Sequence, residues 1–324
     1  MKQITRLFFA LSIFPCAASS IAAQYQFEVD KTPLAGYDGT WLLGIADDGT
    51  KYEYVFNQAG TASLAYINRH GNIEPLTNPG QFSPSDLASG GLMSGTSFYN
   101  STNRVVPALR KRNGQLELIP LPAGSSAQGN GVSNSGRVVG NYVDHSFVSH
   151  GFLYHGGKTA IYDYPGSIYT VLNDVNNGGS AVGYAYKSDL SYVVFVTDGK
   201  RTVPIDTGSD PLSQFIPRYI NNSGMIAGSV ATYTDADGWT EAPAVYDRKS
   251  VTTINSPKTW PATIGYGQNG LPTTLQYVFS RDELTGLNDR GDVSVVSVAS
   301  YQDAANPWIE YTFVESYIGH QVKA

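Results

Sequence analysis

The stretch GNGVSNSGRVVGNY, residues 129–142, has the pattern of a strand, a tight turn and a second strand. Similar stretches return along the chain as DVNNGGSAVGYAY from Asp174, YINNSGMIAGSV from Tyr219 and GLNDRGDVSVVSV from Gly286. Asn tolerates left-handed backbone angles and Gly adopts them without steric cost, so Asn-x-Gly between apolar runs is typical of a β-hairpin. We therefore interpret the motif as scaffold rather than as a set of sugar or metal ligands.

The turn glycine marks a repeat that runs along most of the chain. Two weaker copies precede the clear ones, and the six turn glycines are Gly49, Gly91, Gly136, Gly179, Gly224 and Gly291. Their successive spacings are 42, 45, 43, 45 and 67 residues, so the last interval predicts an insertion near residues 255–283. Four copies carry another glycine four residues after the first, at Gly95, Gly140, Gly183 and Gly228. We expect this glycine on an inner strand, where neighbouring backbones crowd together.

Each copy also contains a second pair of apolar runs around a short turn, as in HGFLYHGGKTAIYDY, residues 150–164. Four antiparallel strands in about 40–45 residues, repeated about six times, predict an all-β fold, a β-propeller of six units. A seventh unit would require a worn copy in GYGQNGLPTTLQYVF, residues 265–279. We expect YQFEVD, residues 25–30, to join the ends of the chain by pairing with IEYTFVES, residues 309–316. The pattern predicts a single domain over residues 24–324.

The first 23 residues have the pattern of a secretory signal peptide. Lys2 and Arg6 precede or flank an apolar run, and small residues follow it as AASSIAA. The run is too short to span a bilayer of about 30 Å. We expect cleavage after Ala22 or Ala23 and export to the periplasm or the outside. Cys16 leaves acylation of a lipoprotein open as an alternative, although the residue before it is Pro15 rather than a small residue.

Charge and composition narrow the classes of partner. Without Lys2 and Arg6, 19 basic residues remain against 27 acidic ones, a net charge of −8. Such a surface argues against nucleic acid as a partner, since binding to phosphates needs a basic surface. No later stretch is apolar enough for a membrane helix, and we expect neither membrane insertion nor a cofactor. The mature chain is expected to be a monomer.

The repeat resembles the bacterial extracellular family named for its His-Ala-Phe tripeptide. The residues that carry the resemblance in the third copy are Asn134, Gly136, Val138, Gly140 and Tyr142, followed by His150, Phe152 and Leu153. The resemblance covers residues 128–254 and is poor towards both ends. It implies an exported, propeller-like protein and brings no catalytic residues with it.

The function is predicted less sharply than the fold. We expect a non-enzymatic module that binds a protein or a glycan through its loops, above all in residues 235–283, because a connection longer than its counterparts often carries specificity. Exposed aromatic residues suit such a role, and the candidates are Trp239, Trp260 and Tyr266. The alternative is a hydrolase or lyase that acts on a polysaccharide with carboxylates in a central funnel. The loose candidates for such a pair are Asp144, Asp163, Asp206, Asp210, Asp282 and Glu283. No metal site is predicted, because neither DVNNGG nor TDADGW supplies a full calcium ligand set.

Overall fold

The computed structural model describes residues 25–30, 34–37, 39–57, 62–76, 81–99, 104–122, 126–208, 213–234, 238–255, 264–266, 272–303 and 310–322. These residues form strands, with one 3-10 turn at Ser89–Gly91. No helix in this part of the chain has the length and apolar character needed to cross a membrane.

The described strands group into six four-stranded antiparallel units. The first unit contains β2 (Gly39–Ile45), β3 (Lys51–Phe56), β4 (Ser63–Arg69) and β5 (Asn72–Pro75). The second contains β6 (Phe82–Ala88), β7 (Leu92–Tyr99), β8 (Arg104–Arg110) and β9 (Leu116–Leu118). The third contains β10 (Ser126–Val132), β11 (Val138–Val143), β12 (Ser149–His155) and β13 (Lys158–Tyr162). The fourth contains β14 (Ser167–Val175), β15 (Ala181–Lys187), β16 (Tyr192–Thr197) and β17 (Thr202–Ile205).

The fifth unit contains β18 (Ser213–Ile220), β19 (Ile226–Thr234), β20 (Gly238–Tyr246) and β21 (Val251–Thr253). The sixth unit joins the two ends of the chain. It contains β23 (Pro272–Leu287), β24 (Val293–Asp303), β25 (Glu310–Gln321) and, as its outermost strand, β1 (Tyr25–Val29). A short strand, β22 (Ile264–Tyr266), pairs with the beginning of β23.

The first strand of each unit lines a common axis. These inner strands are β2, β6, β10, β14, β18 and β23, and each contacts the inner strand of the unit before it and of the unit after it, with β23 meeting β2 again. The units therefore close into a ring, and the predicted all-β propeller is confirmed. The residues predicted to hide a seventh copy contribute β22 and the start of β23, both of which belong to the sixth sheet in the described chain.

Apolar side chains between neighbouring units make up the core. Each interface between two units has its own cluster of buried residues. One residue from each side of each interface, in order around the ring, gives these pairs: Ile67 with Leu87, Leu109 with Phe152, Val139 with Leu172, Val182 with Phe215, Val245 with Leu284, and Leu42 with Ile318. Burying one such side chain stabilises a fold by about 1.5–3 kcal/mol. Each unit packs one face of its sheet against each neighbouring unit. A single unit therefore cannot bury its apolar surface alone.

The predicted joining of the chain ends is also confirmed, with a different register. Strand β1 pairs antiparallel with β25 from Tyr25 opposite Gln321 to Val29 opposite Tyr317. Its partners thus follow IEYTFVES directly in the same strand. Asp30 extends this contact by donating its backbone N–H to the carbonyl of Ser316 at 2.8 Å.

In the second to fifth units, the glycine four residues after the turn glycine lies on the second strand, which is one of the two central strands of the sheet and pairs with a strand on each side. The expected crowding of backbones is present there. A β-carbon at Gly140 would overlap the carbonyl oxygen of Gln128, and the corresponding overlap in the fourth unit joins Gly183 and Val171. The inner strand bulges next to this position, between Gly129 and Gly131 in the third unit, which turns the carbonyl towards the neighbouring strand.

Candidate functional site

The turns that end the inner strands meet at one end of the axis. We call this the ring end, and we call the residues at the second position of each turn the turn ring: Asp47, Ser89, Asn134, Asn177, Asn222 and Asp289. In the third unit the turn is closed by a bond from the Gly136 N–H to the Ser133 carbonyl at 2.9 Å, and Gly136 has φ 77°. A glycine with positive φ occupies the same position in all six units, because the chain must turn left-handed there before the second strand.

Hydrogen bonds link the turn ring from unit to unit. Each backbone N–H donates to the side-chain oxygen of the next unit in five consecutive steps: Ser89 to Asn134 at 2.8 Å, Asn134 to Asn177 at 2.7 Å, Asn177 to Asn222 at 2.8 Å, Asn222 to Asp289 at 2.7 Å, and Asp289 to Asp47 at 2.8 Å. The oxygens that a sugar or cation would need are therefore used within the fold. This arrangement supports the interpretation of Asn-x-Gly as scaffold.

The Asp47 side chain crosses the axis. Its Oδ2 accepts hydrogen bonds from Asn134 Nδ2 at 3.0 Å and from Asn177 Nδ2 at 3.1 Å, and these two residues belong to the third and fourth units. Asp47 Oδ1 accepts the N–H of Asp289 in the sixth unit. One carboxylate thus connects four of the six units and narrows the axis at the ring end.

Two further carboxyl groups meet beneath the turn ring. Asp86 of β6 and Asp174 of β14 follow the bulges of their inner strands. Each accepts a backbone N–H of the next unit, Val132 to Asp86 Oδ2 at 2.8 Å and Ile220 to Asp174 Oδ2 at 2.7 Å. A β-carbon at Gly131 would touch the Asp174 carboxylate, so only glycine fits between them.

Burial and mutual repulsion govern the protonation of this pair. Burial raises the pKa of Asp86 to about 6, although bonds from the backbone of Val132 and Leu87 oppose the shift. Burial and then the charge of Asp86 raise the pKa of Asp174. Two carboxyl groups this close titrate as a pair, and a shared proton relieves their repulsion. The pair was not among the acids predicted from the sequence.

The space around this pair is small. The cavity bounded by Asp86, Asp174 and the turn ring measures about 40 Å³, whereas pockets for small organic ligands measure about 300–1,000 Å³. It has room for about three water molecules, since a water needs roughly 10–15 Å³ on this measure. Within the described chain, no group of three or more His, Cys, Asp or Glu side chains is placed to hold a metal ion. The axial acids therefore serve the contacts between units.

The opposite end carries exposed apolar residues; we call it the loop end. Here hairpins join the second strand of each unit to the third. Phe147, in the hairpin between β11 and β12, is 84% exposed, and Leu190, between β15 and β16, is 73% exposed. Both have φ 63°. Bulky residues rarely adopt this backbone region, and each pays roughly 1–2 kcal/mol for it.

The next unit continues this apolar surface. Trp239, the first aromatic candidate, is 62% exposed at the base of the hairpin between β19 and β20. It faces Tyr233 on the neighbouring strand, with ring centroids 5.5 Å apart at 60°. Trp260 lies outside the described residues. Tyr266 ends β22, and its side chain lies outside the described part as well.

Four tyrosines of the fourth unit lie half-buried on the side that faces the fifth: Tyr169, Tyr184, Tyr186 and Tyr192. The ring of Tyr192 lies 5.5 Å from that of Tyr184 and 5.3 Å from that of Tyr186. Its hydroxyl donates to the Phe215 carbonyl in β18 at 3.0 Å. Tyr142, also noted from the sequence, stacks instead on His150 at 5.0 Å. These rings act first in packing between strands and units.

Among the residues that the structure describes, the acids suggested from the sequence do not gather at one common site. Asp144 and Asp163 bind the two sides of His150, with the Asp163 contact at 2.8 Å. Asp282 accepts from Ser297 at 2.6 Å, and Glu283 lies 4.0 Å from Arg218. Asp206 accepts the N–H of Gly208 within its own turn. Asp210 lies outside the described residues.

The comparisons with known proteins find similar chains among solved structures. No protein-family model matches the chain, and no curated protein sequence resembles it significantly. Among solved structures, TolB from Acinetobacter baumannii shares 13% identity over 66% of this chain at a TM-score of 0.45; the chain spans 56% of that protein. The β-propeller domain of the trilobed protease from Pyrococcus furiosus shares 11% identity over 86% of this chain and 81% of its own length, at 0.46. A gluconolactonase from Xanthomonas campestris shares 9% identity over 96% and 99%, at 0.42.

Proposed function

We propose that the protein is an exported, non-enzymatic binding module whose loop end engages a partner protein. The observation that carries this proposal is the set of apolar side chains at the tips of neighbouring hairpins, led by Phe147 and Leu190. A polar side chain would have a lower free energy in solvent at these positions. Glycine or asparagine would also adopt the left-handed backbone with less strain. Residues retained against stability point to a binding role.

The chemistry of this surface favours a protein over a glycan. Interfaces between proteins are centred on buried aromatic and apolar anchors surrounded by a polar rim. Leu190 offers an aliphatic anchor with no hydrogen-bonding group, and the Tyr233–Trp239 pair offers an aromatic one. Export is supported by the pattern of the first 23 residues and by the resemblance to the His-Ala-Phe repeat proteins.

The rival reading is a polysaccharide hydrolase or lyase. One observation favours it, because Asp86 and Asp174 do converge on the axis. The small cavity and the backbone bonds to both carboxylates count against a substrate there. The comparisons include enzymes, but at 9–11% identity for those named above they carry no activity over to this chain.

The test combines two substitutions that leave the core untouched. Phe147→Asn with Leu190→Asn should reduce capture of the partner from the source organism's envelope extract and culture medium at least tenfold. Ile161→Asn is the matched control, since Ile161 is exposed on the outer strand β13, away from the hairpin tips. Proteins captured by the wild type are identified by mass spectrometry and their affinity is measured directly with purified partner.

Equal capture by the double variant and the wild type would overturn the proposal. Binding of the wild type to a glycan array without a captured protein would replace it with the glycan reading. Cleavage of a polysaccharide that is lost in Asp86→Asn would establish the enzyme instead.

A further inference from the structure

A larger cavity lies between the first and second units, separate from the axial acids and from the loop-end hairpins. It measures about 390 Å³, which falls within the range of small-molecule pockets, about 300–1,000 Å³. Tyr52 and Tyr54 of β3 form one wall, and Phe82 and Leu116 of the second unit form the other. We call it the side cleft. Its walls are mainly aromatic and aliphatic, with Gln81 and Ser83 as polar neighbours.

The charged group of the side cleft is Arg110, at the end of β8. Its side chain is 9% exposed, and its Nη2 donates to Glu74 Oε1 at 2.9 Å. Its Nη1 is buried and has no hydrogen-bond partner among the described residues. A buried N–H group left unpaired costs about 1–3 kcal/mol, more when it is charged.

The charges around Arg110 do not cancel. Glu74 is shared between Arg110 and Arg69, so one carboxylate faces two guanidinium groups. Burial acts to raise the pKa of Glu74, but the hydrogen bonds from Arg110 and Arg69 outweigh it and lower the pKa. The group therefore stays ionised and leaves one net positive charge. No acidic side chain lines the cleft among the residues that the structure describes.

We propose that the side cleft binds a small organic carboxylate with an aromatic or aliphatic body. The carboxylate pairs with the Arg110 guanidinium, and the body lies between Tyr54 and Phe82. Arg is suited to this role because its planar guanidinium matches carboxylate geometry. A single guanidinium with one net positive charge matches a monoanion better than a phosphate dianion, which usually needs several donors.

Burial raises the pKa of Tyr52 to about 12. Its hydroxyl therefore stays protonated and is able to donate to the same ligand. Such a site is independent of the proposed loop-end partner, since none of its lining residues belongs to the hairpins of the third, fourth and fifth units.

The experiment is isothermal titration calorimetry on the purified wild-type protein with 3-phenylpropionate, hexanoate, the neutral 3-phenylpropanamide and inorganic phosphate. The two carboxylates should bind at least tenfold more tightly than the amide and phosphate. Arg110→Gln should remove that preference, and Leu116→Ala, which removes part of the apolar wall at a partly exposed position, should weaken carboxylate binding about tenfold. Arg201→Gln removes the same charge from an exposed turn of the fourth unit and should leave binding unchanged.

Circular dichroism and thermal unfolding show whether each variant is folded. If Arg110→Gln does not fold, the result for Leu116→Ala tests the site instead. Equal affinity for the acid and the amide would overturn the proposal. So would phosphate binding as tightly as the carboxylates, or no binding of any probe to the folded wild type.

Discussion

The two ends of the third unit use the same turn with different residues. At the ring end, Gly136 holds the left-handed position with φ 77°, and its N–H donates to the Ser133 carbonyl at 2.9 Å. At the loop end, Phe147 holds that position with φ 63°, and its N–H donates to the Asp144 carbonyl at 3.2 Å. The fourth unit repeats the contrast with Gly179 and Leu190. The two ends therefore have the same turn conformation and differ in the residue that occupies the left-handed position.

The difference shows that the left-handed backbone position selects glycine at the ring end, whereas at the loop end a requirement other than backbone conformation selects the residue. At the ring end the side chains bond to neighbouring units, and glycine keeps the backbone free of strain. At the loop end, the side chains of Phe147 and Leu190 are mostly exposed to solvent. Their small buried area does not offset the strain of their left-handed backbone. Stability explains the first set of residues, and binding is our proposal for the second.

The largest effect is expected where the ring end is tightest. Gly140→Ala places a β-carbon against the Gln128 carbonyl oxygen and the Phe152 ring, neither of which can yield within a closed ring. We expect a loss of about 4 kcal/mol in the free energy of unfolding, or no folded protein, as for other severe overpacking. Urea unfolding measures it. Gly156→Ala is the control, because no atom lies within 4 Å of a β-carbon there. Equal losses in the two variants would contradict the steric account.

A smaller loss should follow from opening the turn ring. Asp47→Ala removes the acceptor for Asn134, Asn177 and Asp289, three donors near the axis. We expect a loss of about 2–3 kcal/mol, since each bond contributes roughly 1 kcal/mol and the donors are left unpaired. Asp189→Ala at the loop end is the matched control, because Asp189 accepts only a local N–H from Ser191. If both variants unfold at the same urea concentration, the ring end has no special role in stability.

The acid pair makes the ring end sensitive to pH. The pKa of Asp86 is raised from 3.8 to about 6, so the folded state binds this proton more tightly than the unfolded state does. Its contribution to stability is complete below the unfolded value of 3.8 and is lost as the pH rises through about 6. Asp86→Asn keeps an acceptor for the Val132 N–H and carries no charge. The free energy of unfolding of the variant minus that of the wild type should therefore increase by roughly 1–2 kcal/mol between pH 4 and pH 7.

Urea unfolding at pH 4, 5, 6 and 7 checks this prediction. Asp198→Asn should respond with the opposite sign, because backbone bonds from Arg201 and Lys200 lower the pKa of Asp198. An Asp86→Asn curve parallel to that of the wild type would show that the pair does not share a proton in this range.

The smallest change in stability is expected at the left-handed positions themselves, and it tests the comparison of the two ends directly. Phe147→Asn should stabilise the protein by about 0.5–1 kcal/mol, since asparagine tolerates left-handed angles. Gly136→Ala in the same unit should destabilise it by about 1 kcal/mol, because alanine does not. Thermal unfolding of the two variants gives the signs. A destabilised Phe147→Asn variant would mean that Phe147 serves the fold, and the main support for a loop-end binding site would disappear.

The fold was predictable from the sequence because its most demanding positions repeat. The left-handed turn and the carbonyl opposite Gly140 both require glycine, so the spacing of Gly136 and Gly140 records the geometry of every clear unit. The first unit was harder to recognise because Glu53 occupies the position of that second glycine. The crowding expected at this glycine follows from its place on a strand that is paired on both sides.

The candidate sites were less predictable, because they depend on closure of the ring. Asp86 and Asp174 lie 88 positions apart and meet only across the axis. Asp47 and Asp289 occupy the place of Asn134 in the repeat, and an alignment of copies could have singled them out. Phe147 and Leu190 become noticeable only through their backbone angles. Trp239, an aromatic candidate from the sequence, is 62% exposed near the start of β20, and its role in binding stays a prediction.

The pairing of Tyr25 with Gln321 has a consequence for how the molecule is made. β1 is synthesised long before β25, the strand with which it pairs, so the sixth unit must be assembled from two distant parts of the chain. Loop closure over so many residues is entropically expensive and slow. A partly synthesised chain can build its middle units, but the ring cannot close until β25 is available.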